Sequence, residues 1–134
     1  MRKTVFATAL ALIASPLMAD EYWETELGRI IYEADVEDQA ILSFPTDSGV
    51  PLMTYFPGLA GNYQYRNVHH GIWIMPGKGD CPTEMTGIDG TTGSNWGRVV
   101  IGFDKPEFPT GFTALFGRCM DEPTNTVRAE AKTG

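Results

Sequence analysis

The distribution of short β-prone runs is the feature that most restricts the fold. After Ala19, no segment keeps apolar residues at helical spacing over ten or more positions, which an amphipathic helix would require. Instead, runs rich in β-branched and aromatic residues are bounded by Gly, Pro, Asn or Asp, as in antiparallel β proteins. The sequence therefore predicts an all-β domain, either a small antiparallel β-barrel or a sandwich, of six to eight strands.

The alternation of apolar and polar residues, together with the Gly, Pro, Asn and Asp residues that separate the runs, predicts six strands. The first three of them are expected to form a meander of sequential hairpins. The residues from 121 to 134 carry almost no apolar side chains, so we expect a flexible polar tail after a single domain spanning residues 20–120. Three tryptophans, Trp23, Trp73 and Trp96, are expected to fill the core or to close a barrel end. The predicted strands cover about 22–33, 39–44, 50–56, 71–75, 96–103 and 112–119.

Residues 1–19 have the pattern of a secretory signal peptide. Two basic residues precede an apolar run from Val5 to Ala14, and Ser15-Pro16 comes before a small residue, Ala19. The apolar run is too short to span a bilayer. We expect cleavage after Ala19, a secreted or periplasmic location, and no membrane anchor once the signal is removed.

The charge of the remaining chain restricts the class of partner. Removal of residues 1–19 leaves eight basic and seventeen acidic residues, a net charge of −9. Nucleic acids and anionic membranes are bound through clustered Lys and Arg. The composition therefore argues against both of these partners. It leaves open whether the charge only keeps the domain soluble or attracts a cationic partner.

The two cysteines of the chain, Cys81 and Cys119, are predicted to form a disulfide. An isolated pair in a small exported domain most often does so. This bond would pin a loop over 77–94 that contains five glycines and has no strand pattern of its own. Loops of that length are usually functional or disordered.

The only two histidines are neighbours in the stretch RNVHHGIW, residues 66–73. Adjacent side chains in an extended strand point to opposite faces, so His69 and His70 do not both reach one ion. No serine stands in a Gly-x-Ser-x-Gly turn. We therefore predict no catalytic residue, metal or cofactor, and keep a metal-assisted enzyme that uses His69 or His70 as an alternative.

An aromatic and arginine-bearing segment is the best candidate for a binding surface. Large amphipathic rings and guanidinium groups are enriched in binding hot spots, and loops at one end of a β scaffold often carry them. The segment is also polar enough to predict that it lies outside the core. The candidate binding residues are Tyr63, Tyr65, Arg66, His69 and Arg98.

The order of features over residues 71–119 resembles small avidin-like and lipocalin-like barrels. A Gly-x-Trp strand precedes a long loop, a Trp-Gly pair opens the next strand, and a cysteine closes the last one. The sequence departs from those barrels because six rather than eight strands are predicted and because Gly-x-Trp lies in the middle of the chain. The resemblance therefore supplies no site residue.

Taken together, these patterns predict a non-catalytic binding protein that uses loops at one end of its scaffold. The partner is either a protein, such as a hydrolase, or a small ligand or glycan, and a small ligand would need a concave apolar cavity. A structural protein of the cell envelope is a further alternative.

Overall fold

The computed structural model describes residues 21–61 and 66–133 and has an all-β fold. Eight antiparallel strands form a closed barrel, and two short strands form a separate two-stranded sheet. This confirms the predicted fold class. The barrel strands are β1 (Glu21–Thr25), β2 (Gly28–Val36), β3 (Gln39–Phe44), β4 (Leu52–Pro57), β5 (Val68–Met75), β8 (Asn95–Phe103), β9 (Phe112–Phe116) and β10 (Asn125–Thr133), and the small sheet contains β6 (Met85–Thr86) and β7 (Thr92–Gly93).

The strand order around the barrel is β1-β10-β9-β8-β5-β4-β3-β2. Neighbouring strands in the chain are also neighbours in space, except where β6 and β7 intervene between β5 and β8. The ring closes where β1 pairs with β10, with Glu21 opposite Thr133 and Glu24 opposite Glu130. In a closed ring of this kind, each strand finds hydrogen-bond partners on both sides.

The barrel interior is filled with apolar side chains. Trp23, Ile30, Phe56 and Phe112 are fully buried, and the rings of Trp23 and Phe112 meet edge to face with centroids 5.0 Å apart. The indole N–H of Trp23 donates a 2.8 Å hydrogen bond to the carbonyl oxygen of Thr110. This bond satisfies the only polar atom of a large buried ring.

A second apolar cluster lies on the outside of the barrel, beneath the glycine-rich loop. It contains Ile41, Tyr55, Ile74 and Trp96 from four barrel strands, together with Cys81 from the loop. The loop therefore packs along the barrel wall. All three tryptophans are buried. Trp23 and Trp73 belong to the interior cluster, as predicted, whereas Trp96 packs beneath the loop on the outer wall rather than in the interior or at a barrel end.

The disulfide predicted between Cys81 and Cys119 is present, with Cα atoms 5.4 Å apart. It joins the glycine-rich loop to the connection between β9 and β10. A disulfide is consistent with an oxidising, extracellular compartment.

A tyrosine and an aspartate hold the tip of the glycine-rich loop on the barrel. The buried Tyr55 hydroxyl donates a 2.7 Å hydrogen bond to Asp89, and burial raises the pKa of Tyr55. Burial tends to raise the pKa of Asp89 as well. The hydrogen bonds that Asp89 accepts from the Thr91 N–H and from Tyr55 outweigh this effect, so its pKa is lower than usual.

Four strands were not predicted from the sequence: one strand of the β1–β2 hairpin, β10, and the short strands β6 and β7 within the glycine-rich loop. The predicted strand 22–33 is a hairpin, β1 and β2, which turns at Glu26-Leu27. The Thr25 hydroxyl accepts a hydrogen bond from the Leu27 N–H and donates one to the Gly28 carbonyl. Gly28 has a φ of +136°, which glycine adopts without a steric penalty.

The prediction of a flexible tail after residue 120 is wrong for residues 125–133. They form β10, which pairs with β9 on one side and with β1 on the other. Ala129 is fully buried and Val127 is half-buried, so β10 contributes to the interior. The domain therefore extends beyond the predicted boundary at residue 120.

Among the residues that the structure describes, there is no helix long and apolar enough to cross a membrane. The proposed signal peptide, residues 1–19, lies outside the described ranges.

Candidate functional site

The two ends of the barrel differ in how they are covered. At one end, called here the closed end, the β4–β5 and β8–β9 connections cover the interior with Leu59, which is 2 % exposed, and Thr110, which is 1 % exposed. At the other, called here the open end, the β1–β2, β3–β4 and β9–β10 connections surround a depression. The open end is therefore where the end of the filled barrel core is accessible from outside.

A buried ion pair lies at the closed end. The Arg66 guanidinium contacts the Glu21 carboxylate through two nitrogen–oxygen distances of 2.6 and 2.9 Å. It also lies within 6 Å of the ring centroids of Tyr32, Phe103 and Phe108. Burial raises the pKa of Glu21, and the adjacent guanidinium opposes this rise.

The open end contains an apolar pocket with a cavity volume of about 370 Å³. This value falls within the usual range for small-molecule sites. The pocket is formed by the inner ends of barrel strands and by the three connections that surround them. It is lined by Thr25, Leu27, Phe44, Pro45, Thr46, Leu52, Trp73, Phe116, Gly117, Arg118, Asn125 and Val127.

Local packing fixes one wall of this pocket. The Trp73 indole N–H donates a 2.7 Å hydrogen bond to the Gly117 carbonyl oxygen, which ties β5 to the β9–β10 connection. Gly97 lies beside both groups, and a Cβ atom there would collide with the Gly117 carbonyl oxygen. The Phe44 and Phe116 rings, with centroids 5.2 Å apart, form another part of the lining. The pocket wall is thus built from rigid, well-packed groups.

Two arginines add to the disulfide and to the 2.7 Å hydrogen bond from the Cys119 N–H to the Trp96 carbonyl oxygen in holding the β9–β10 connection. Arg98 on the outer face of β8 donates hydrogen bonds of 2.8 and 2.9 Å to the carbonyl oxygens of Met120 and Asp121. Arg118, which lines the pocket, forms an ion pair with Asp80 of the glycine-rich loop. The connection that shapes the pocket is therefore attached to the barrel and to the loop.

The two histidines lie on opposite faces of β5. The strand pairs regularly with β8 from Val68 to Met75, so adjacent side chains alternate, and this confirms the predicted separation. His70 is exposed, whereas Nε2 of His69 is buried without a hydrogen-bond partner among the described residues. Within residues 21–61 and 66–133, no three side chains of His, Cys, Asp or Glu lie close enough to share a metal ion.

The three predicted binding residues that the structure describes, Arg66, His69 and Arg98, do not share one surface. Arg66 is 1 % exposed, which corrects the expectation that its segment is too polar for the interior. Its ion pair with Glu21 accounts for this burial. His69 also lies towards the closed end on β5, while Arg98 lies on the outer face towards the open end. Tyr63 and Tyr65 lie outside the described residues, and binding by any of these five residues stays a prediction.

Sequence reasoning did not find the pocket. Its apolar lining includes Leu27 in the β1–β2 turn and Val127 in β10, and neither element was predicted. It also includes Leu52 at the start of β4 and Phe116 at the end of β9. One signal was available. Leu27 is a large apolar residue beside Gly28, and in a hairpin turn such a side chain projects beyond the end of the sheet.

Comparison with known proteins identifies no relative. No protein-family profile matches the chain, and no curated protein or solved structure is significantly similar to it.

Proposed function

We propose that this protein is a non-catalytic binding protein whose site is the apolar pocket at the open end. The observation that carries the proposal is the pocket itself, about 370 Å³ of apolar space at the open end, above a filled barrel core. Burial of an apolar group there would remove the ligand and the pocket lining from water together. This effect contributes roughly 25 cal/mol per Å² of apolar surface.

The packing around the pocket supports binding without a large rearrangement. The Trp73–Gly117 hydrogen bond and the Arg98 contacts hold the β9–β10 connection, and the disulfide holds its Cys119. A site that is already ordered loses little conformational entropy when a ligand binds. Export to the periplasm or the cell exterior belongs to the same proposal, supported by the sequence of residues 1–19 and by the disulfide.

The test uses N-phenyl-1-naphthylamine, a neutral apolar probe whose fluorescence rises in apolar surroundings. We expect saturable binding at the open end. Amide chemical shifts in two-dimensional NMR spectra should change most at Leu27, Gly117 and Asn125, which line the pocket. Shifts confined to the closed end, or the absence of saturable binding, would refute the proposal.

A matched pair of variants locates the probe. Leu27 and Val68 are both 60 % exposed, but Leu27 lines the pocket and Val68 lies at the closed-end start of β5. Leu27→Asp should weaken probe binding by about tenfold because it places a charge in an apolar lining. Val68→Asp should leave binding within about twofold of wild type. Equal effects would show that the probe does not occupy the pocket.

A further inference from the structure

Exposed apolar side chains at the open end are not confined to the pocket. Leu27, Val50 and Met120 are 60 %, 42 % and 69 % exposed, and they lie in the β1–β2, β3–β4 and β9–β10 connections respectively. Val50 and Met120 do not line the pocket. A small ligand inside the pocket would therefore leave these two side chains in water. A larger occupant that also covers the surrounding connections would bury all three side chains.

Each of these connections also carries a carboxylate within three residues of its exposed apolar side chain. Glu26 precedes Leu27, Asp47 comes three residues before Val50, and Asp121 follows Met120. All three acidic residues are exposed. In the part of the chain that the structure describes, neither Glu26 nor Asp47 forms an ion pair. Their charges are thus available to an incoming partner.

The cations at this end are fewer and are largely engaged. Arg118 is the charged residue of the pocket lining, and its guanidinium is paired with Asp80. Arg98 contacts two backbone carbonyls and lies 3.9 Å from Glu122. Arg29, at the start of β2, pairs with Glu24, and Lys78, at the start of the glycine-rich loop, is exposed. The carboxylates therefore dominate, in line with the net charge of −7 for the whole chain.

We infer that the open end is a docking surface for a basic segment of another protein, which inserts an apolar side chain into the pocket. This inference rests on the proposed function because the pocket must first accept an apolar group. Carboxylates around an apolar centre steer a cationic partner and disfavour an anionic one. The three exposed apolar side chains then cover the stem of the inserted residue.

Three synthetic peptides test the chemistry of the partner. KKFFKK, EEFFEE and KKSSKK, each acetylated and amidated, differ only in charge or in their apolar centre. Each is titrated against the protein loaded with N-phenyl-1-naphthylamine. We expect KKFFKK to displace the probe at concentrations about tenfold lower than the other two. Its advantage over EEFFEE should shrink as salt rises from 20 to 300 mM, because exposed charges are screened.

Two double variants test the surface. Glu26→Gln with Asp47→Asn should weaken KKFFKK binding about threefold to tenfold, whereas Asp38→Asn with Glu107→Gln, exposed at the closed end, should leave it unchanged. Val50→Ser with Met120→Ser should weaken KKFFKK binding about fivefold. That last variant should bind the neutral probe as wild type does, because neither side chain lines the pocket.

The outcomes separate this inference from the proposed function. If the probe binds but EEFFEE competes as well as KKFFKK, the basic partner is refuted and the pocket stands. If the Val50 and Met120 variant binds the peptide normally, the site takes only a small ligand and the docking surface is refuted. If the probe itself does not bind, the proposed function fails and this inference fails with it.

Discussion

Replacement of Arg66 by Met should destabilise the protein in a way that depends on pH. Arg66 and Glu21 have side chains 1 % and 5 % exposed and are joined by two short contacts. Methionine keeps the apolar contacts with the surrounding rings but removes the positive charge. Loss of one partner of a buried ion pair costs about 3–5 kcal/mol at neutral pH. We expect a decrease of that size in the free energy of unfolding at pH 7.

The sign of the pH dependence follows from the Glu21 carboxyl. Burial raises its pKa in the folded protein, and Arg66 opposes this rise. Without Arg66 the folded-state pKa rises further above the unfolded value of about 4.5, so the folded variant binds a proton that the unfolded chain releases. Its stability is then greatest at low pH and is lost as pH rises through the folded-state pKa. One proton contributes at most about 2.7 kcal/mol over two pH units.

Urea unfolding followed by tryptophan fluorescence at pH 5 and pH 7 measures this effect. The control is Arg29→Met, because Arg29 forms a 3.3 Å ion pair with Glu24 on the surface, with side chains 53 % and 37 % exposed. That change should cost less than about 1 kcal/mol. Adding Glu21→Gln to Arg66→Met should restore stability at pH 7, since a neutral side chain needs no counter-ion. A loss that is equal at both pH values would refute the reasoning.

Three other predictions concern stability. Ala129→Asp, at a buried position, should lower the free energy of unfolding by more than about 3 kcal/mol. Thr126→Asp, at an exposed position of the same strand, should lower it by less than about 0.5 kcal/mol. Equal losses in urea unfolding would contradict the role of β10 as a barrel strand. Tyr55→Phe should lower the free energy of unfolding by about 1 kcal/mol. Asp89→Asn should be less stable than wild type at neutral pH, and this difference should disappear as pH falls below about 3.8, because the lowered carboxyl pKa stabilises the fold only while the group is ionised. Reduction of the disulfide, whose cysteines are 38 positions apart, should lower the free energy of guanidinium unfolding by about 4 kcal/mol; a change below 1 kcal/mol would refute the chain-entropy argument.

Two strands with dense apolar runs could be predicted from the sequence. The predicted strand 39–44 coincides with β3, and the strand at 96–103 differs from β8 by one residue. In these segments most of the buried side chains are apolar, with Ile41, Leu42, Phe44, Trp96, Val99 and Ile101 among them, so burial and pattern agree. The disulfide could be predicted equally well, because two cysteines allow only one pairing within the chain.

The missed strands show where this reasoning fails. In β10 the inward positions include Ala129 and Ala131, whose small side chains give a weak apolar signal among exposed polar neighbours. Two neighbouring strands provide backbone hydrogen bonds for β10, and this tertiary pairing compensates for its weak pattern. The same limit applies to the β1–β2 hairpin, where Gly28 was the only local sign of a turn.

The candidate site could not be predicted because its members are distant in sequence. Arg66 is buried because Glu21, 45 positions away, neutralises it, and no local pattern indicates that pairing. The pocket likewise combines residues from positions 25 to 127, which meet only once the barrel has closed. The aromatic and arginine content therefore indicated a segment whose Arg66 is buried at the closed end instead of being exposed for binding.

The pairing of Glu21 with Thr133 fixes how the barrel is presented when it is tethered. Both residues lie at the closed end, so any tag, linker or surface joined before Glu21 or after Thr133 leaves from the side opposite the pocket. An immobilised protein should therefore display its open end outwards. Surface-based binding measurements can attach the protein directly before Glu21 or directly after Thr133 without blocking the pocket.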